Sequence, residues 1–212
     1  MKLDPSEFFD LSEYAHRRLF EDLEHVWQAL DRLPEHLAAT CRALTFGRVA
    51  DQAVLEGAVF VGEEAVVAPG AMVVGPAIIG AGSEIRHGAL LRGPVVLGIG
   101  CVVGHGTEVK ASVLLDGAKA PHLSYVGDSI LGNRVNLGAG TVCANLRLDG
   151  REVQVAAAGP GQPRLPTGRQ KLGAIIGDDA VIGCHTVLNP GALIPRRAAV
   201  PPCSCITGRW QG

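Results

Sequence analysis

The stretch Val61-Gly62-Glu63-Glu64-Ala65-Val66-Val67-Ala68-Pro69-Gly70-Ala71-Met72-Val73-Val74-Gly75-Pro76-Ala77-Ile78-Ile79 decides the fold. Val61, Val67, Val73 and Ile79 fall on every sixth position, each later one preceded two residues earlier by Ala65, Ala71 or Ala77. The series extends back to Leu55 and Val49. It runs forward through Ile85, Leu91, Leu97, Val103, Val109 and Leu115 without a miss, with a small or β-branched residue two ahead of each, from Gly47 to Val113. The same register returns at Ile176, Ile182, Leu188, Ile194 and Val200. A period of six is neither the 3.6 of an α-helix nor the plain alternation of a strand. It predicts a mainly β chain: a left-handed parallel β-helix of hexapeptide repeats. Three hexapeptides make one coil, so residues 18 apart stack on one face at a strand spacing of roughly 4.8 Å.

Composition agrees with a narrow core. Hydrophobic residues make up 47% of the 212, but aromatics only 4%, which suits stacked Val, Ile, Leu and Ala; 28 glycines suit a chain that turns a corner every few residues. A net charge of −2 without long runs of one sign gives no reason to expect a nucleic-acid partner. No charged-then-apolar leader and no apolar run of eighteen are present, so neither a signal peptide nor a membrane partner is expected. Of the six cysteines only Cys203 and Cys205 are close in sequence, as C-x-C with no second pair for zinc. Free thiols in a reducing cytoplasm are the expectation.

Three segments follow. Residues 1–45 lie outside the repeat. Asp4-Pro5-Ser6-Glu7 has the form of a capped helix start, and Leu19, Phe20, Leu23, Val26, Trp27 and Leu30 form a helical stripe. Pro34 is expected to end or bend that helix, with a shorter one through Leu37, Cys41 and Leu44. The segment reads as a helical cap over the end of the first coil, the competing reading being a partner-docking hairpin. Residues 46–212 are the β-helix domain. Its register is expected to slip between Leu115 and Leu131, because the next aliphatic positions are Val126 and Leu131. Residues 146–174, with Gly159-Pro160-Gly161-Gln162-Pro163 and Pro166, read as an extruded loop. The tail from Pro201-Pro202 is expected to leave the repeat.

Used as a ruler, the 18-residue coil stacks Arg92 under Lys110. Two stacked cations without stacked acids repel unless an anion sits between them, and a phosphate suits, gripped by the Arg fork and the Lys point charge. The competing reading is two solvated surface cations. His87 and His105 are also 18 apart and His122 follows 17 later, a ladder of imidazoles if the slip falls before His122. Such a ladder raises the question of metal, as in trimeric β-helix carbonic anhydrases with H-x4-H spacing. Lys110, five residues after His105, would repel zinc, so no metal is expected.

The segments Lys119-Ala120-Pro121-His122-Leu123-Ser124-Tyr125-Val126-Gly127-Asp128-Ser129 and Val135-Asn136-Leu137-Gly138-Ala139-Gly140-Thr141-Val142-Cys143-Ala144-Asn145 closely resemble the acetyltransferase half of the bifunctional sugar-1-phosphate enzymes. Those are the bacterial glucosamine-1-phosphate acetyltransferases/uridyltransferases and their archaeal relatives. The likeness runs from about Ile85 to Ile194. It implies an N-acetyltransferase that uses acetyl-CoA as co-substrate on an amino-sugar phosphate, in UDP-N-acetylglucosamine synthesis, with His122 as catalytic general base. It further implies a sugar-phosphate pocket lined by Tyr125, Asn136 and Asn145, a phosphate clamp of Arg92 and Lys110, and a backbone contact from Ala139 to the acetyl-CoA end. It implies a homotrimer with sites between subunits. No nucleotidyltransferase motif is found in this chain.

A histidine titrating near neutrality suits proton removal from an attacking amine. Backbone N–H groups of the Gly138-Ala139-Gly140 turn are candidate donors to the thioester oxyanion. The chain departs from the family pattern at four places, two of them a bulky proline-containing loop before Lys171 and short C-terminal coils that end in Pro201-Pro202-Cys203-Ser204-Cys205. Arg151 stands where the family often has a phosphate-binding lysine, and Cys184, a weaker donor, stands where the bacterial enzymes place a cofactor-contacting serine. The alternative is a non-catalytic scaffold that keeps a sugar-phosphate or nucleotide-sugar pocket.

Overall fold

A computed structural model describes residues 3–156 and 164–212. The chain forms the expected parallel β-helix, about nine turns long, with one α-helix, α1 (Ala29–Thr40), in the N-terminal segment. Coil after coil pairs in parallel at the predicted offset: Val66 with Glu84, Met72 with Leu90, Ala77 with Val95. Val61, Val67, Val73, Ile79, Ile85, Leu91, Leu97, Val103 and Val109 all point into the interior and are buried. The series resumes inside at Ile176 and continues through Val200. It then extends to Ile206, because Cys205–Ile206 pairs with Val187–Leu188; the tail rejoins the repeat rather than leaving it.

The slip begins earlier than the aliphatic spacing suggests. Below it, strands are joined at one corner by two residues, Gly57-Ala58, Gly75-Pro76 and Gly93-Pro94. At the next coil Ala111 alone spans the gap, with φ 47°, and the pairing shifts between Lys110 and Ser112. Leu114, not Leu115, therefore enters the core, and Ser112, not Val113, takes the small-residue place two ahead of it. Leu115 and Val113 turn outward, where they are buried under the N-terminal segment. Asp128, with φ 45°, repeats the shortened corner one coil on, and the offset stays at 17 through Tyr125–Val142. The alignment of His105 with His122 follows directly.

The N-terminal segment lies along the flank of the coils, not over the end of the first one. Phe8, Phe9, Trp27, Leu30, Leu33 and Leu37 pack with Ile78, Val96, Val113, Leu115, Ile130, Ile175 and Leu193, the outward residues of one face. Its helical stripe is broken into short 3-10 turns at Arg17–Phe20 and Val26–Gln28 before α1 starts. Pro34 sits within α1, where the buried stripe Leu30, Leu33 and Leu37 sustains the helix despite the missing N–H. Leu37 belongs to that same helix, Cys41 caps it, and Leu44 opens the first strand. The start at Asp4 is the expected capping box, but it leads only into the 3-10 turn Pro5–Glu7.

Buried polar groups pin the segment in place. The Asp178 carboxylate, fully buried, accepts from the Asn133 N–H and side chain and from the Asp10 N–H, with Arg196 at 3.3 Å. After Cys143 the pairing offset jumps to 45 residues, Ile130 with Ile175. The excursion contains an antiparallel pair, Gln154–Ala156 with Arg164–Pro166, so the expected loop is a hairpin; its Gly159–Pro163 run lies outside the described residues. Among the described residues no helix is long and apolar enough to cross a membrane.

Candidate active site

Arg92 and Lys110 are register partners on adjacent coils, as the ruler requires. They are not bare cations. The Arg92 Nε donates to Glu108 Oε1 at 2.9 Å, and Nη2 bonds the same oxygen. That hydrogen-bonded carboxylate pushes the Arg92 pKa upward. The Lys110 Nζ donates to Asp128 Oδ2 at 2.8 Å. Asp128 lies 18 residues beyond Lys110, where the ruler itself puts a stacked acid, whereas Glu108, 16 residues beyond Arg92, is off that spacing. Asp128 occupies the shortened corner, and Glu108 reaches Arg92 along the strand pair.

Asp128 is the node of the cluster. Its Oδ2 also accepts from Asn145 Nδ2 at 2.6 Å, and its Oδ1 lies 3.7 Å from Arg169 Nη2. Tyr125 stands beside them. Burial raises its phenol pKa, the Glu108 and Asp128 charges raise it further, and Asn145 pulls it part of the way back. Gly127, paired with Lys110, leaves the room: a Cβ there would lie 2.7 Å from the Tyr125 ring and 2.8 Å from Asn145 Nδ2. Lys110, Tyr125, Asn145 and Arg92 are thus gathered on one face with Glu108, Asp128 and Arg169.

His122 lies at the corner next to this face, at the end of the strand Lys119–His122, with its imidazole exposed. Close backbone packing holds it there. Gly104 lies so near Pro121 that a Cβ would sit 1.5 Å from the Pro121 carbonyl oxygen. The His122 carbonyl accepts from Ser124 Oγ at 3.0 Å and from the Gly140 N–H at 3.2 Å. Below it, His105 and His87 stack as flat parallel rings 5.5 Å apart. Each imidazole Nδ1 faces a carbonyl one coil down, His87 O at 2.9 Å and Pro69 O at 2.8 Å. Among the described residues no three His, Cys, Asp or Glu side chains converge as metal ligands would.

The turn Gly138-Ala139-Gly140 passes one coil above His122. Gly138 N–H donates to Ile182 O and Gly140 N–H to His122 O, so two of the three amides are committed to the backbone. The Ala139 N–H is the one left for a ligand among the described residues. Cys184 is exposed one coil further up the same corner. Cys101 and Cys143, by contrast, are sealed in the core, where burial pushes both thiols up to about 12. Asn136 lies apart from Tyr125 and Asn145, on a second sheet between Lys119 and Val181. Arg151 is exposed in a turn around Asp149, and it is Arg169, further along the loop, that reaches the cluster.

Residues 73–158 match the family model described as the GMPPB C-terminal domain. A bifunctional sugar-1-phosphate nucleotidylyltransferase/acetyltransferase of Sulfurisphaera tokodaii is 39% identical over 181 residues, which is 85% of this chain and 44% of that protein. The bifunctional protein GlmU of Methanococcus maripaludis strain S2 is 37% identical over 90% of this chain and 45% of its own length. This chain is a homologue of the C-terminal, hexapeptide-repeat part of these bifunctional enzymes. It spans a little under half the length of these two relatives. The UDP-N-acetylglucosamine acyltransferase structure of Francisella novicida superposes with a TM-score of 0.49 at 15% identity, covering 75% of this chain and 60% of that one.

Proposed function

We propose that the chain is an acetyl-CoA-dependent N-acetyltransferase acting on glucosamine-1-phosphate or a closely related amino-sugar phosphate. The observation that carries this reading is the stacking of Arg92 and Lys110 beside Tyr125 and Asn145, one corner away from the exposed imidazole of His122. A phosphate dianion offers more to Arg92 and Lys110 than the single carboxylate each now holds, and it can share both cations at once. The sugar then lies against Tyr125 and Asn145, with its amine directed toward His122.

In the reaction the neutral amine nitrogen attacks the thioester carbonyl carbon. His122 takes the amine proton as the N–C bond forms. Negative charge gathers on the carbonyl oxygen, for which the Ala139 N–H is the available donor; the carbonyl then re-forms as the C–S bond breaks, and the leaving thiolate takes the proton held by His122 to depart as the coenzyme thiol. Asn136 lies on a different sheet from Tyr125 and Asn145, so a pocket lined by all of them needs Asn136 from a neighbouring subunit. A homotrimer with sites between subunits supplies it, and sedimentation or light scattering measures the state.

The test of function is thiol release from acetyl-CoA with a panel of amino-sugar phosphates. Turnover with glucosamine-1-phosphate or a near relative is expected. Binding of sugar phosphate by calorimetry with no turnover and no acetyl-CoA binding sinks the enzyme reading in favour of a non-catalytic scaffold.

A further inference from the structure

Arg169 enters the cluster from the far end of the loop and meets two carboxylates distant in sequence. Its Nη1 pairs with Asp31 on α1, its Nη2 faces Asp128 Oδ1 at 3.7 Å, and its Nε donates to the Lys171 carbonyl at 3.1 Å. Every arm of the guanidinium is engaged, and the side chain is only 17% exposed. The backbone around it is fixed as well. Arg169 O accepts from Val153 N–H, Leu172 N–H donates to Asn145 O, and Gly173 N–H donates to Asp128 O. Asp128 in turn holds Lys110 and Asn145 through its other oxygen.

We propose that Arg169 is a positioning residue through which α1 of the N-terminal segment sets the anion-binding side of the active site, by the chain Asp31–Arg169–Asp128–Lys110/Asn145. The proposal rests on the sugar-phosphate reading above. Asp128 carries one negative charge shared between Lys110 and Arg169. Without Arg169 that charge falls on Lys110 alone, draws the ammonium toward Asp128, and leaves less of it for a phosphate. The planar fork addresses Asp31, Asp128 and a carbonyl in fixed directions, which a lysine cannot do. α1 is anchored to the flank by Leu30, Leu33 and Leu37, so Asp31 is a fixed point from which Arg169 is aimed.

The experiment uses the full chain with Arg169→Gln, Arg169→Lys, Asp31→Asn and Asp31→Glu, with thermal melts to confirm folding. Arg169→Gln and Asp31→Asn are expected to raise KM for glucosamine-1-phosphate roughly 10-fold. Turnover should stay within about twofold and KM for acetyl-CoA should not change, because uniform binding of the non-reacting end is what is lost. Arg169→Lys should not restore the wild-type KM, whereas Asp31→Glu should stay near it. An unchanged sugar-phosphate KM overturns the proposal. So does a joint drift of both KM values and turnover with a lowered melt, the mark of general loosening. If the wild type releases no thiol with any amino-sugar phosphate, the functional reading falls separately. The relay is then judged by calorimetry with inorganic phosphate: roughly 10-fold weaker binding by Arg169→Gln supports it, and equal affinity, or none in either protein, overturns it.

Discussion

Lys110 and Asp128, one coil apart, form an ion pair at 2.8 Å in which the lysine side chain is 21% exposed and the aspartate side chain only 7%. A buried carboxylate with three cationic or amide partners is costly to remove singly, since its partners then lose their acceptor. Asp128→Asn keeps the shape and tolerates the left-handed backbone at φ 45°. It removes the charge that Lys110 and Arg169 share. A loss of roughly 1–3 kcal/mol in urea unfolding is expected. Unchanged stability would mean that the cations are satisfied by water and that the node is ornamental.

His122 differs from Asp128 in being exposed and in holding its place through its backbone. His122→Ala is therefore expected to leave the melting temperature nearly unchanged. It should lower turnover by at least ~100-fold. A variant that keeps its rate takes His122 out of that role.

Gly104 illustrates how packing one coil down aims that histidine. An added Cβ meets the Pro121 carbonyl carbon at 2.2 Å and its oxygen at 1.5 Å, both backbone atoms that cannot rotate away. Gly104→Ala must push out the strand end that carries His122. We expect a cost of about 1–3 kcal/mol from overpacking and a fall in turnover with little change in sugar-phosphate KM. Gly100 is the control: it has open space around it but φ 65°, so alanine there pays only for backbone strain and should leave turnover alone. Equal effects at the two positions would show that the close approach at Gly104 is not what aims His122.

The six-residue period made the β-helix legible because each interior position is filled by one residue type at one spacing. Arg92 under Lys110 followed from the same ruler, and His105 under His122 from the ruler together with the one-residue slip. What the period concealed was the shortened corner. Leu114 and Leu115 are both leucines, so either satisfies the pattern, and only the single-residue connection at Ala111 decides between them. The seat of the N-terminal segment had a signal that period-six reading passes over. Doubled apolar pairs, Ile78-Ile79, Val96-Leu97, Ile130-Leu131, Ile175-Ile176 and Leu193-Ile194, recur on one face, the mark of strands buried on both sides. Arg169 was invisible because the loop that carries it has no repeat to measure by. Only folding brings it to Asp128.

The segment on that face carries its own pH dependence. His16 Nδ1 lies 3.0 Å from His36 Nε2, and burial, helped by the neighbouring His36, lowers the His16 pKa from 6.5 to about 4. Burial lowers that of His36 as well. Both rings are thus held neutral in the folded chain. Well above pH 6.5, from about pH 7.5 upward, neither state binds the proton to any extent and stability hardly depends on these rings. As pH falls from 6.5 toward 4 the unfolded chain takes up protons that the folded chain refuses, so stability falls through that window. Allowing for partial exposure of the ring, His16 should account for roughly 1–2 kcal/mol of loss between pH 7.5 and pH 5. Urea unfolding of wild type and His16→Gln at those two pH values measures it. The wild type should lose more than the variant by that amount, with the N-terminal segment, followed by Trp27 fluorescence, releasing first. Parallel losses in the two proteins would show that the His16–His36 pair does not couple protonation to folding.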